Sequence, residues 1–163
     1  MERFWNIVYY FIHRADYRIH MFSNNINPIL WLYRLPFARK HFEKKGVDPD
    51  EELNMIWTSP KFGLGITIAG GFMVFFVVLF FFGVVNIFKL VSNIDFVLTT
   101  YHFLILLLLA YIVNHFLLFK KDKYLQYFKD FDNMPQKERI RWIWITLGVI
   151  LCIITFSVGS CVM

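Results

Sequence analysis

The sequence predicts an all-α integral membrane protein with three transmembrane helices and a cytoplasmic layer of short amphipathic helices. Three observations carry that prediction. Residues 62–88, twenty-seven in all, hold no Asp, Glu, Lys or Arg between Lys61 and Lys89. About 20 apolar residues suffice to cross a bilayer core, so this run is long enough to span with some tilt. Two more apolar runs follow, at 96–119 and 142–162. Finally, the chain is 58% hydrophobic with twenty Phe in 163 residues and a mean hydropathy of +0.50. Soluble domains are typically about 45–50% apolar.

Residues 1–57 read as the amphipathic layer. Phe4, Trp5, Val8, Phe11, Ile12, Ala15 and Ile19 fall on one helical face, with Asn6, Tyr10, His13, Arg14, Tyr17 and Arg18 opposite. A basic, aromatic helix of this kind lies in a membrane interface or packs on another surface. Asn24-Asn25-Ile26-Asn27-Pro28 reads as a turn. Ile29 to Phe42 is too short and too charged to span, and reads as a second interfacial helix kinked at Pro36. Arg39, Lys40, Lys44 and Lys45 then form a basic cluster suited to anionic headgroups. Asp48-Pro49-Asp50-Glu51-Glu52 opens a short helix to about Trp57. Ser59-Pro60 repeats the start signal ahead of the first span.

The first span, 62–88, is followed by a seven-residue connection, 89–95, which makes the second span, 96–119, an antiparallel neighbour. Residues 120–141 are polar, but Tyr124, Tyr127, Phe128 and Phe131 recur at i, i+3, i+4 and i+7. The second helix is therefore expected to continue beyond the membrane with an aromatic stripe. Pro135 ends it. Trp142 and Trp144 mark the interface at the start of the third span, 142–162. No cleavable leader is read at the N-terminus, because Glu2, Asn6 and His13 interrupt the apolar positions.

Net charge is +5. The basic residues flank apolar segments and no binding motif accompanies them, so nucleic acid is not an expected partner. Cys152 and Cys161, nine residues apart on one helix, are too far apart to bridge. Neither an acid–base pair, a nucleophile motif, a phosphate loop nor metal-ligand spacing is present. No catalytic residue, cofactor or metal is expected. Asn86, His102, Asn114 and His115 are the intramembrane polar side chains to weigh, since such groups are functional or satisfied by helix–helix hydrogen bonds. His102 and His115 are thirteen residues apart, about 20 Å along one helix, and cannot share a metal. His13, His20 and His41 read as solvated or headgroup-level positions.

Small residues recur at helical steps. Gly148, Cys152, Thr155 and Gly159 line one face of the third span, and Gly63, Thr67 and Gly71 one face of the first. Such faces let membrane helices pack closely, here within one chain in preference to between copies. The function expected is contact without catalysis. The chain would be an accessory subunit, an anchor or a protector of immunity type, in a cell (inner or plasma) membrane. Trp5, Phe11, Tyr124, Tyr127, Phe128 and Phe131 are the expected partner-binding residues, although the two stripes to which they belong can also cover one another. The expected partners are a bilayer with anionic headgroups and either a protein partner or a second copy. A pore-forming or conducting oligomer is the alternative reading, and an enzyme acting on lipid ranks below it.

Lys and Arg number nine in residues 1–61 and seven in 120–141, against one in 89–95 and none after Arg141. The positive-inside rule places the N-terminus in the cytoplasm and the C-terminus outside it. A periplasm- or lumen-dependent reporter fused after Met163 is expected to be active. Activity of a cytoplasm-dependent reporter at that position would overturn the three-span topology.

Overall fold

The structure is a computed structural model that describes residues 1–24, 32, 35–46, 48–59, 63–93 and 97–162. It is helical, with no strand among the described residues. The helices are α1 (Glu2–Asn24), α2 (Pro36–Glu43), α3 (Pro49–Thr58), α4 (Leu64–Ser92), α5 (Thr100–Asn114), α6 (Lys123–Asp132) and α7 (Gln136–Val162). Between α5 and α6 lie a π-helical turn, His115–Phe119, and one turn of 3-10 helix, Lys120–Asp122. Three helical stretches are long and apolar enough to cross a membrane: Leu64–Ser92, Thr100–Asp132 and Gln136–Cys161.

Helix ends follow local chemistry and shift several expected boundaries. Pro36 does not kink a helix; it starts α2, with extended Leu35 before it. Proline suits that first position, where its missing N–H has no intrahelical partner to lose. The first apolar helix runs on through Lys89 to Ser92, since a lysine in the last turn suits the negative end of a helix. α5 opens at Thr99, whose backbone N–H donates to His102 Nδ1 at 3.1 Å. α7 begins at Gln136, where the run Gln136-Lys137-Glu138-Arg139 is expected to start a helix. Arg139 stabilises the preceding turn by donating from Nη2 to the Asp132 carbonyl at 3.0 Å. The expected turn at 25–28, the start of an interfacial helix at Ile29, the start signal at Pro60 and the first residues of two spans, Phe62 and Phe96, lie outside the described residues.

The chain divides into two compact units, Ile12–Ala69 on the one hand and Met1–Phe11 with Gly70–Met163 on the other. Within Ile12–Ala69, Trp57 of α3 is the pin. Its indole Nε1 donates to Asp16 Oδ2 at 3.2 Å, and His20 stacks flat on it at 4.0 Å between ring centroids. His20 is thus buried against an aromatic face, not solvated as its basic neighbours suggest. A Cβ on Gly65 would meet Trp57 and Asp16 at 3.2 and 3.3 Å. At Gly63 a Cβ would stand 2.5 Å from the Ser59 carbonyl oxygen. That glycine lies tight against the backbone of Trp57 and Ser59 at the end of α3.

In the larger unit α5 buries Leu106, Ala110 and Asn114, and Leu118 extends the same row at steps of four. α4 buries Met73, Phe76 and Val77. Close approach falls at Gly70, where a Cβ would lie 3.1 Å from Phe119, and at Gly83, where it would lie 2.5 Å from Phe156 and 3.4 Å from the Ser157 backbone. The expected packing faces are elsewhere. Open space surrounds Gly71, Gly148 and Gly159, and Thr67, Cys152 and Thr155 are exposed. α7 instead buries Thr146 and Ser157. The physical reason is that the glycine needed for close approach sits on α4, where Gly83 receives the Phe156 ring. α7 can then present hydroxyl-bearing residues to its neighbour and turn its own glycines outward.

Gly83→Leu is expected to destabilise the protein by overpacking, by about 1–3 kcal/mol. Gly148→Leu in the same detergent is expected to leave the melting temperature of the single chain unchanged. A larger loss from Gly148→Leu than from Gly83→Leu would reverse the assignment of the seam.

Candidate functional site

The first three turns of α1 form the most densely bonded part of the larger unit. From Asn6 to Phe11 six consecutive residues are buried. A helix buried all round is a core element, so the one-face reading of residues 4–19 does not hold in this half. The expected polar face supplies Asn6 and Tyr10, both buried, while apolar Ile19 is 66% exposed.

The bonds explain the buried polar groups. Trp5 Nε1 donates to Asn114 Oδ1 at 2.9 Å, and Asn114 Nδ2 donates to the Ala110 carbonyl at 2.9 Å. Asn6 Nδ2 donates to its own-helix Glu2 carbonyl at 2.9 Å and to the Leu117 carbonyl, inside the π-helical turn, at 3.0 Å. Tyr10 donates its hydroxyl to Asp132 Oδ1 at 2.7 Å. Lys123 Nζ donates to Glu2 Oε2 at 2.8 Å, and Tyr127 donates to Glu2 Oε1 at 3.3 Å. Buried polar groups are tolerated when such bonds are made.

Aromatic rings fill the space between. Tyr9 meets Phe119, Tyr124 and Phe128 edge-on or tilted, at 5.4–6.0 Å. Tyr10 meets Phe128 and Phe131 at 5.2 and 5.5 Å. Phe4 reaches Trp142 at 6.2 Å. Rings at such distances and tilts attract beyond their burial, each pair by about 0.5–1.5 kcal/mol. The stripe of Tyr124, Tyr127, Phe128 and Phe131 is thus met chiefly by Tyr9 and Tyr10, neither of them on the expected apolar face of α1; Phe11 joins the same core cluster as Phe131, and Trp5 bonds Asn114 instead. Phe11, Tyr124 and Phe131 are buried by these contacts.

The polar residues of the long apolar helices have separate local roles. Asn86 donates to Ser160 Oγ at 3.3 Å and Cys161 Sγ at 3.6 Å, joining α4 to α7. His102 belongs to the capping box of α5 with Thr99, whose hydroxyl lies 2.8 Å from Nδ1. Since the Thr99 N–H can only donate, Nδ1 accepts, and a neutral ring carries its proton on Nε2. Asn114 is taken up with Trp5. His115 is exposed and packs its ring near Tyr111 and Phe116. No group of three His, Cys, Asp or Glu side chains placed to hold a metal is found among the described residues.

Several contributors escape a periodicity argument. Glu2 is too near the terminus to show a pattern, Asn6 counts as a solvent-facing residue, and Phe119 closes an apolar run. A single Asn inside an aromatic stretch at Phe4-Trp5-Asn6 is the one signal that marks a bonded core position. No family model, curated protein or solved structure matches the chain.

Electrostatics support the same clamp. The hydrogen bond from Lys123 holds the Glu2 carboxyl below its ordinary value of 4.5, against a smaller opposing effect of burial. Burial pushes the Tyr9 phenol well above 10.0, and Tyr124 adds to the shift. Burial and then Asp122 raise Tyr124 as well. A depressed carboxylate stabilises the fold above its unfolded pKa, and that contribution is lost as pH falls through the folded value. Hydrogen exchange of residues 2–11 is therefore expected to speed up as pH drops below about 4.5, after correction for intrinsic rates. Glu2→Gln should remove that pH dependence. An unchanged acid response in Glu2→Gln would take Glu2 out of the clamp.

Proposed function

We propose that the chain is a three-span protein of a cell (inner or plasma) membrane, with a cytoplasmic N-terminus and an extracytoplasmic C-terminus, that works by contact and not by catalysis. Its roles as an accessory subunit, an anchor or a protector of immunity type share one physical requirement, a surface that another component grips. The observation that carries the reading is the placement of apolar side chains once the aromatic stripes have been used internally. In the second half of α1, Ile19 is 66% and Phe22 69% exposed, beside exposed Arg14 and Arg18. On α2, Phe37 is 73% exposed, next in sequence to the basic residues Arg39, Lys40, Lys44 and Lys45. Met55 and Ile56 of α3 are also exposed.

Large apolar groups in water mark contacts, and basic neighbours direct them to an anionic surface. The cytoplasmic leaflet supplies one, with about 1 kcal/mol of attraction per basic residue near the surface. Residues 12–57 therefore serve as the cytoplasmic interfacial layer, and the apolar helices α4, α5 and α7 as the bilayer anchor. A protein partner or a second copy completes the contact.

The test compares the full chain in nanodiscs of anionic and of purely zwitterionic lipid. Residues 14–23 are expected to exchange more slowly in the anionic discs. Ile19→Asp with Phe22→Asp should abolish that difference, reduce co-purification of the partner from native membranes, and leave exchange of residues 2–11 unaltered. Equal exchange in the two discs, with co-purification intact in the double variant, would overturn this surface. Turnover of lipid by the pure chain, or conductance across a planar bilayer, would overturn the contact reading itself.

A further inference from the structure

Of Asn86, His102, Asn114 and His115, the first three are hydrogen-bonded inside the chain. The exposed imidazole of His115 makes only ring contacts among the described residues, with Tyr111 at 6.2 Å and Phe116 at 5.8 Å between centroids. In a bilayer, a polar group on the outside of an apolar helix has no water to turn to, so it must be met from outside the chain. The π-helical turn places a second group beside it. Lys120 donates its backbone N–H to the His115 carbonyl, which stacks residue 120 over residue 115. In a regular α-helix the two would lie about 140° apart. The Lys120 ammonium stands 4.9 Å over the Phe116 ring and forms no ion pair with a described residue. His115 and Lys120 therefore both flank Phe116, which is itself exposed.

The charges at this break set the chemistry. Lys123 is paired to Glu2 at 2.8 Å. Asp122 is engaged within the chain and acts on Tyr124. Lys121 is exposed and next in sequence to Lys120. Lys120 and Lys121 together exceed Asp122 by one positive charge. The C-terminal end of one helix meets the N-terminal end of the next here, so their dipoles offset and the side chains decide the sign. An anion is favoured. An anion that also carries an ammonium is favoured less, because Lys121 repels the ammonium.

We propose that the break between α5 and α6 binds one anionic glycerophospholipid of the cytoplasmic leaflet, with its phosphate on Lys120 and an ester carbonyl on the imidazole N–H of His115. The inference rests on the membrane-spanning reading and the orientation above, and its surface is separate from residues 12–57. From Thr100 to Lys120 the rise is about 30 Å, the thickness of the hydrocarbon core. With Thr100 at one boundary, Lys120 stands at the other, at headgroup depth. His115 is one turn deeper, where the glycerol esters lie beneath the phosphate. A neutral imidazole has one N–H to give, and an ester carbonyl can only accept. Tyr111 is a further turn down, at acyl depth, and stacks its ring on the imidazole. Phe116, beside both polar groups, covers the glycerol and the first acyl carbons.

The test counts the lipids that the full chain retains in native mass spectrometry from detergent. The probes are phosphatidylcholine and phosphatidylglycerol, the latter both as the diester and as the diether. One diester phosphatidylglycerol is expected to be held about tenfold more tightly than phosphatidylcholine. Lys120→Gln should remove that preference, and Lys120→Arg should restore it. His115→Phe, which keeps the ring contacts, should weaken the diester about fivefold and leave the diether as it was. Ile19→Asp with Phe22→Asp should leave the tightly held lipid in place. Equal affinity for the two head groups, or a wild-type preference in Lys120→Gln, overturns the proposal. A preference lost in the Ile19 and Phe22 double variant but kept in Lys120→Gln overturns it too, and assigns the lipid to residues 12–57. Equal weakening of diester and diether in His115→Phe overturns the ester contact. Carbonate extraction from membranes, run in parallel, separates these outcomes from failure of the spanning reading, because a chain that stays inserted and shows no preference fails at the break alone.

Discussion

The larger unit depends on how α1 holds the break between α5 and α6. A run of 33 residues from Thr100 to Asp132 has the composition of one long helix, yet its regular hydrogen bonding is interrupted. The π-helical turn His115–Phe119 displaces carbonyls from their usual partners, and Lys121 and Asp122 then adopt left-handed backbone with φ of 60° and 51°. For residues other than glycine that conformation costs about 1–2 kcal/mol each, less for Asp, whose short side chain tolerates it better. Something outside the helix must compensate. α1 does so at three successive points, with Trp5 on Asn114 before the break, Asn6 on the Leu117 carbonyl inside it, and Glu2 on Lys123 just after it.

This explains why α1 is buried on all sides from Asn6 to Phe11. The bend turns the aromatic side of α6 toward Tyr9 and Tyr10, and the rings of both elements close over one another. Asn6 accepts a cost in this role, since both its amide hydrogens are used while Oδ1 has no partner. An unmade bond of that kind costs about 1–3 kcal/mol. Two donors matched to two carbonyls, one of them left over by the π-helical turn, offset it. Replacing Asn6 by an apolar residue would relieve the orphaned oxygen but strand the Leu117 carbonyl in its place.

The three apolar helices were legible in the sequence because absence of charge over more than twenty residues has few other physical meanings. The aromatic stripe at Tyr124, Tyr127, Phe128 and Phe131 was legible for a similar reason, since spacing alone puts those four on one face. What covers the stripe was not. Periodicity ranks a residue by its own side chain, so Asn6 and Tyr10 were assigned to a wet face and Ile19 to a dry one; Asn6 and Tyr10 are reversed by bonds to residues more than a hundred positions away, and Ile19 stands exposed. The small-residue faces are not the ones that pack within the chain, for a different reason. Either a glycine-bearing face or a hydroxyl-bearing face of α7 could pack, and the choice depends on where the neighbouring helix carries its own glycine. Gly83 settles it within the chain, and a glycine directly after Phe80-Phe81-Phe82 gives no local sign of its partner.

Those reversals bear on where a contact surface belongs. Before the stripes are paired, the aromatic residues are the obvious anchors for another molecule, because aromatic side chains dominate many interfaces. Once Phe131 and Tyr124 are buried by Tyr9 and Tyr10, a partner could reach them only by displacing α1, and that means breaking the Trp5, Asn6, Tyr10 and Glu2 bonds together. Interactions so coupled do not open one at a time. A partner meets less resistance at apolar side chains that already stand in solvent, and Ile19 and Phe22 stand there without any rearrangement. The same helix thus divides its work by position: its first three turns hold the larger unit together, and its later turns leave apolar and basic groups for something outside the chain.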